Sequence, residues 1–442
     1  MSDLAVRERQ ILSGLKDFQR ATVERVFTLL TSGRNRVLVA DEVGLGKTLI
    51  ARGVIAKTAL YHQQSLRDNL FKVVYVCSNQ SIAGQNLARL RIQNTDRIES
   101  LTDTRLSMQH LKIFEDEITA VERNSYLQLI PLTPGTSFNI TGSSGSVQER
   151  ALIFAILSRH KELAGYHQAL ELLMMGNAEK SWRTWVRDLY EKRVLDCERA
   201  SDGRYLQTVL TNIDRYFKTD DDLLPDLLDL CQRITSIRKK QDDANQMIYR
   251  LRRMMAEISV GLIDADLVIM DEFQRFPELI RTDTDDETAM LARRFFNTDK
   301  RDNQKVKVLL LSATPYKLYS TLEEINESGI DEHYREFMQV IDFLFESNPT
   351  LKQQFRQVWN NYSVSLRELE TQEITILSAR KNQAENALYQ GICRTERLSV
   401  PGAEKLVDIE TAKCALEISE KDVLSYMEAY QLLQELGLNE YV

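Results

Sequence analysis

The chain has 442 residues, 43% hydrophobic and 28% charged, with 57 Lys+Arg against 65 Asp+Glu and a formal net charge of −8. That length supplies about two to three domains with real cores, and the acidic balance excludes a general polyanion coat, so any nucleic-acid contact must be a local groove. No apolar run approaches the ~20 residues of a membrane span, MSDLAVRERQ has no apolar signal core, and five cysteines and five histidines scattered without a Cys-x-x-Cys pair argue against zinc and for a reducing cytoplasm.

In chain order, residues 1 to 30 read as amphipathic helices, with Leu15, Phe18, Val23, Val26, Phe27 and Leu30 at mainly helical spacing. Val37 to Ala40 follow as a short buried strand, then the loop DEVGLGKT and a helix from Leu49. Gly44 and Gly46 let the backbone turn tightly enough for successive amides and the helix start to surround a phosphate. In that geometry Lys47 reaches the terminal phosphates and the Thr48 hydroxyl ligates magnesium. The general phosphate-loop pattern has a glycine where this chain has Asp41, so an ordinary strand-to-helix turn stays open on the loop alone.

Four further segments read as buried strands ending in polar loops: FKVVYVCSN, YLQLIPLTPGTSF, ADLVIMDEFQ and VKVLLLSATP. The alternation predicts an α/β fold, a mainly parallel sheet flanked by helices, with ligands at the C-terminal ends of the strands. LVIMDEFQRF delivers Asp271 and Glu272 to such an end, where the first suits magnesium and the second suits orienting and deprotonating an attacking water. VLLLSATPYKL brings Ser312 and Thr314 to another, where hydroxyls can sense a terminal phosphate.

Residues 151–258 break the rhythm and read as a helical insertion between a first part of the lobe, 1–150, and a second, 259–320. Within it, KSWRTWVRDLYEKR reads as an amphipathic helix burying Trp182, Trp185 and Leu189, with base stacking as the alternative. IRKKQ and YRLRRMM offer a basic face at Arg238, Lys239, Lys240, Arg250, Arg252 and Arg253. Residues 321–442 read as a charged helical accessory segment, and Arg394 and Arg397 in GICRTERLS are placed on a helix, in an accessory role with arginine fingers acting in cis as the alternative.

In order and content these motifs resemble those of the superfamily 2 helicases and DNA translocases. DEVGLGKT, DEFQ and SATP look like their motifs I, II and III, and the first is similar to the Swi/Snf-like form, in which Asp stands where the first glycine would be. The resemblance implies a RecA-like lobe binding ATP and Mg2+, with Glu42, Val43, Gly44, Leu45, Gly46, Lys47, Thr48 and Leu49 around the phosphates. LKDFQ would be the upstream adenine-reading motif, Gln19 on the base and Phe18 packed beside it. Lys47, Asp271, Glu272, Ser312 and Thr314 would be catalytic, and Thr48 and Asp271 would hold the metal. Nucleic acid, DNA in the first instance, would lie against Ser78, Asn79, Gln80, Gln85 and Asn86 and against Thr133, Gly135, Thr136 and Ser137.

The segments YVCSN, LTPGTSF, MDEFQRF and LSATPYK further resemble helicase-related proteins of bacterial phage-defence and restriction-like systems. Such motors have a second RecA-like lobe carrying an arginine finger, and no matching element follows Pro315. The chain is therefore expected to end before that lobe, to bind ATP, and to hydrolyse it slowly alone, by on the order of 10³ to 10⁵. Its partners would be the missing lobe or other subunits of a defence complex. Two readings stay beside this one: a nucleotide-regulated scaffold with little activity, and a ring-forming ATPase, against which Phe18, Gln19 and the SATP element speak.

Overall fold

Each strand of the sheet is a short, mostly apolar run whose alternate side chains enter different cores. The strands are β1 (Arg36–Val39), β2 (Phe71–Val76), β3 (Leu127–Leu132), β4 (Leu267–Asp271), β5 (Lys307–Leu311) and β6 (Ile392–Cys393). In the computed structural model, which describes residues 3–65, 70–78, 80–93, 105–115, 126–138, 144–234, 241–281, 287–297, 305–313, 332–367, 374–395 and 419–435, they form one six-stranded sheet in the order β3-β2-β4-β5-β1-β6. All five pairings are parallel. The fold is α/β and consistent with a RecA-like lobe.

The period of two decides the layering. Leu38, Val74, Ile130, Val268, Met270, Val308, Leu310 and Ile392 enter one core, with Phe295, Phe296 and Phe337 above them. Val37, Val39, Val73, Leu129, Leu267, Ile269, Leu309 and Cys393 enter the other, against Val23, Val26, Ile50 and Val54 of the helices Asp17–Thr31 and Lys47–Ser65. With both faces covered, the strands carry no polar alternation, as expected of a buried parallel sheet.

The insertion has a core of its own. Its axis is the helix Val147–Leu157, apolar nearly all round and buried along its length, and it begins at a capping box in which Ser146 accepts from the Glu149 amide. Met108, Leu111 and Phe114 also belong to this core, so the segment before β3 contributes to the insertion. The helix Gln241–Ile263 crosses the expected boundary at residue 258: Met247, Leu251, Met254 and Met255 lie in the insertion core, and Ala256, Val260 and Ile263 lie in the sheet core.

Two expectations are corrected. Trp182 is buried, but Trp185 and Leu189 are exposed, at 49% and 41%. A π-helical turn over Trp182–Val186 resets the register, so the buried stripe continues through Val186, Tyr190, Val194 and Cys197. Arg394 follows a strand, not a helix: β6 pairs with β1 at Leu38↔Ile392 and Val39↔Cys393. Arg397 lies outside the described residues. The chain beyond residue 320 thus adds an edge strand and also a cover, with Phe337, Phe343, Phe345 and Phe355 packed in the sheet core.

Arg36 fastens that cover. Its guanidinium is buried, donating to Phe343 O at 2.7 Å, Glu346 Oε2 at 2.5 Å and Asn297 Oδ1 at 2.6 Å, over the Phe343 ring. Burial lowers its pKa from the usual value, and Glu346 opposes that shift. Met1–Glu396 form one compact unit and Arg397–Val442 a second, in which the helix Glu420–Glu435 is described. No helix among the described residues is long and apolar enough to cross a membrane.

Candidate functional site

The loop after β1 turns at Gly44 and Gly46, both left-handed with φ +82° and +84°. A Cβ at Gly46 would stand 2.6 Å from Gln19 Nε2 and push that side chain off the loop. The Leu49 and Ile50 amides donate to Gly46 O at 2.8 and 3.1 Å, closing the first turn of the helix Lys47–Ser65. The amides ahead of that turn have no intrahelical acceptor and carry the positive end of the helix dipole. Lys47 Nζ lies against the loop, donating to Asp41 O at 3.2 Å. Glu42, Leu45 and Thr48 are half-buried, and Val43 and Leu49 are exposed.

Gln19 braces this loop. Its Oε1 accepts from the Lys16 amide at 3.0 Å and its Nε2 donates to Leu45 O at 2.9 Å. These two bonds leave one N–H and one lone pair of the amide, on a side chain that is buried. Phe18 beside it is half-buried.

The carboxylate pair stands at the end of β4, with β5 between it and β1. Asp271 Oδ2 accepts from Tyr75 Oη at 2.5 Å and from Asn86 Nδ2 at 3.3 Å, and Asn86 Nδ2 also reaches Tyr75 Oη at 2.8 Å. Burial raises the pKa of Asp271, and the Tyr75 hydrogen bond and Lys47 oppose it. Burial, with Asp271 next to it, also pushes the Tyr75 phenol far above its ordinary value, so it serves as a donor. Glu272 is held at φ +52°, an uncommon conformation for a residue with a side chain. Its amide donates to Leu311 O at 2.9 Å, and its Oε2 accepts from Gln274 Nε2 at 2.5 Å. Ser312 is buried at the end of β5, its amide donating to Val39 O at 3.1 Å. Thr314 lies outside the described residues.

No cluster of three or more His, Cys, Asp or Glu among the described residues is placed to hold a metal. A cation here would have one carboxylate, Asp271, and one hydroxyl, Thr48, with the remaining positions left to phosphate oxygens and water. Few protein ligands and many waters suit magnesium. Among the described residues the Tyr75 and Asn86 side chains both bond Oδ2, which leaves Oδ1 facing neither of them and suited to a metal.

The residues expected at nucleic acid divide. Ser78 and Gln85 are exposed, whereas Asn86 is turned to Asp271 and Tyr75. Thr133 and Ser137 are buried, and the Thr133 amide donates to Ser137 Oγ at 3.3 Å. The short helix Pro134–Ser137, which includes Gly135, turns those hydroxyls inward. Asn79 and the side chains of Gln80 and Thr136 lie outside the described residues. The expected basic face is largely neutralised: Arg250 pairs with Asp220 and Asp226, Arg253 with Glu257, and Arg252 with buried Glu149. Arg238, Lys239 and Lys240 lie outside the described residues.

Sequence reasoning missed Tyr75 and Asn86 as partners of Asp271. A tyrosine within an otherwise aliphatic buried strand was the available signal, since a buried phenol needs a hydrogen-bond partner. No family model matches the chain, no curated protein matches it, and no solved structure matches it.

Proposed function

We propose that this chain is the ATP-binding lobe of a nucleic-acid-dependent ATPase of the superfamily 2 helicase and translocase kind. One observation carries the reading: the Lys47 loop, Ser312 and the Asp271–Glu272 pair come together at the C-terminal edge of the neighbouring strands β1, β5 and β4. Loop amides and Lys47 bind and orient the phosphates in this reading, and Gln19 meets the base. Thr48 and Asp271 hold magnesium, which when bound supplies positive charge against the phosphate oxygens. Glu272 orients a water and takes its proton. Ser312 couples the occupied site to the segment after β2, whose exposed Ser78 and Gln85 meet DNA in this reading. A bacterial defence system is the setting that its motif wording suggests.

The bond from Gln274 to Glu272 Oε2 favours a second reading, a nucleotide-regulated scaffold, because an engaged carboxylate oxygen is a poorer proton acceptor. Magnesium-dependent ATP turnover separates the two, measured with and without single- and double-stranded DNA beside Lys47→Ala and Glu272→Gln. DNA-stimulated turnover lost in both variants supports the motor. ATP binding lost only in Lys47→Ala, with no turnover in any sample, supports the scaffold. Absence of ATP binding by the wild type rejects both.

A further inference from the structure

The edge strand β6 brings a distant part of the chain to the phosphate loop. Gly391 O and Cys393 O accept from the amides of Leu38 and Ala40 at 2.9 and 2.8 Å. The chain therefore runs beside β1 in the same direction and leaves the sheet at the edge where the loop begins. Two bonds hold Thr395 just past that edge: its amide donates to Asp41 Oδ1 at 2.6 Å, and its hydroxyl shares a hydrogen with the Thr22 hydroxyl at 3.2 Å. Thr22 belongs to the helix Asp17–Thr31 that also carries Gln19.

Asp41 is the anchor of this arrangement. It is fully buried, at 0% exposure, and its Oδ2 has no hydrogen-bond partner among the described residues. A buried carboxylate with an unmatched oxygen is costly unless cations stand nearby. Burial raises its pKa, and the opposing influences are Thr395, then Lys47, then Arg394. The same carboxylate thus feels both the loop lysine and Arg394, an exposed side chain one residue past the end of β6.

We propose that Arg394, positioned by the bond between Asp41 and Thr395, donates to a β- or γ-phosphate oxygen of the nucleoside triphosphate held at the loop, as a second cation beside Lys47. The inference rests on the nucleotide-binding reading above and adds a ligand-contacting residue to it. A planar guanidinium matches a phosphate with paired donors, which a lysine cannot reproduce.

Calorimetry on the full chain with magnesium tests it, using ATP and AMP as probes against wild type, Arg394→Ala, Arg394→Lys and Lys47→Ala. Arg394→Ala should weaken ATP by about 10- to 100-fold, the usual range for losing a charge-assisted hydrogen bond, and should change AMP much less. Arg394→Lys should recover part of the loss. Arg394 also helps to balance the buried Asp41 carboxylate, so the unfolding midpoint without nucleotide is read beside each titration: Arg394→Ala should stay folded at the titration temperature, and an ATP loss that Arg394→Lys partly recovers separates lost contact from lost fold. ATP affinity unchanged in Arg394→Ala but lost in Lys47→Ala would overturn this inference alone. Equal loss of ATP and AMP would place the guanidinium on the base, ribose or α-phosphate and overturn it too. A wild-type chain that binds no ATP would remove the loop reading and this inference together.

Discussion

Asp271 and Glu149 are both acidic side chains carried by apolar elements, one at the rim of the sheet and one inside the insertion, and they are satisfied to different degrees. Glu149 is enclosed: Ser107 donates to Oε1, the Ser146 amide donates to Oε2 at 3.3 Å, and Arg252 is ion-paired to Oε2 at 2.9 Å with both side chains buried. The hydrogen bonds of Asp271 crowd onto one oxygen, and the lysine that opposes its raised pKa spends its Nζ on a loop carbonyl. Charge in the insertion is structural, and charge at the sheet edge has capacity left for a ligand. Completeness of partners, more than residue type, separates the two.

Variants can break or sharpen that contrast. The largest expected effect is at Glu272: the Gln variant should lose up to about 10⁴-fold in turnover while keeping ATP affinity, the range for a general base. An unchanged rate would remove the catalytic reading of the pair. Lys47→Ala should weaken ATP binding or turnover by about 10²- to 10³-fold, the size seen for single donors to developing or fixed anionic oxygens, with the denaturation midpoint held.

Arg252→Ala should do the reverse. Leaving Glu149 buried with only the longer Arg105 pair at 3.6 Å should cost about 3 kcal/mol of stability, read by urea unfolding, and any ATP affinity should remain in the folded fraction. Loss of affinity without loss of stability would place Arg252 in the site.

Asp41→Asn probes a smaller, pH-dependent effect. Burial holds Asp41 above its ordinary value of 3.8. A carboxyl raised on folding contributes stability below its unfolded pKa, and that contribution is lost as pH rises through the raised native value. The variant has no such loss, so its stability relative to wild type should grow as pH increases from about 4 through the native pKa. A difference that stays flat between acid and neutral pH would contradict the burial account. Trp185→Ala should be the mildest, within about 0.5 kcal/mol, because the ring lies on the exposed side of its helix; a larger cost would mean the exposed stripe is covered.

The features legible in the sequence were local ones. The strands, the glycine turn and the carboxylates at β4 each occupy a few consecutive residues, so spacing alone located them. β6 escaped because two paired residues, Ile392 and Cys393, carry no periodicity. The partners of Arg36 escaped because Asn297, Phe343 and Glu346 lie hundreds of residues along the chain. The face of the helix after Trp182 was misplaced by one π turn, and the inward hydroxyls of Thr133 and Ser137 come from a four-residue helix that no composition rule requires.

The helix Gln241–Ile263 has 23 residues, a rod of about 35 Å at the standard rise. Met247 to Ile258 reach into one core and Ala256, Val260 and Ile263 into the other, and after three further residues the chain enters β4. A hinge between insertion and sheet would therefore have to bend the rod and break its internal hydrogen bonds. Heat or denaturant should melt both cores in a single transition, and a force applied to the insertion would be felt, along a stiff lever, at the strand that ends in Asp271.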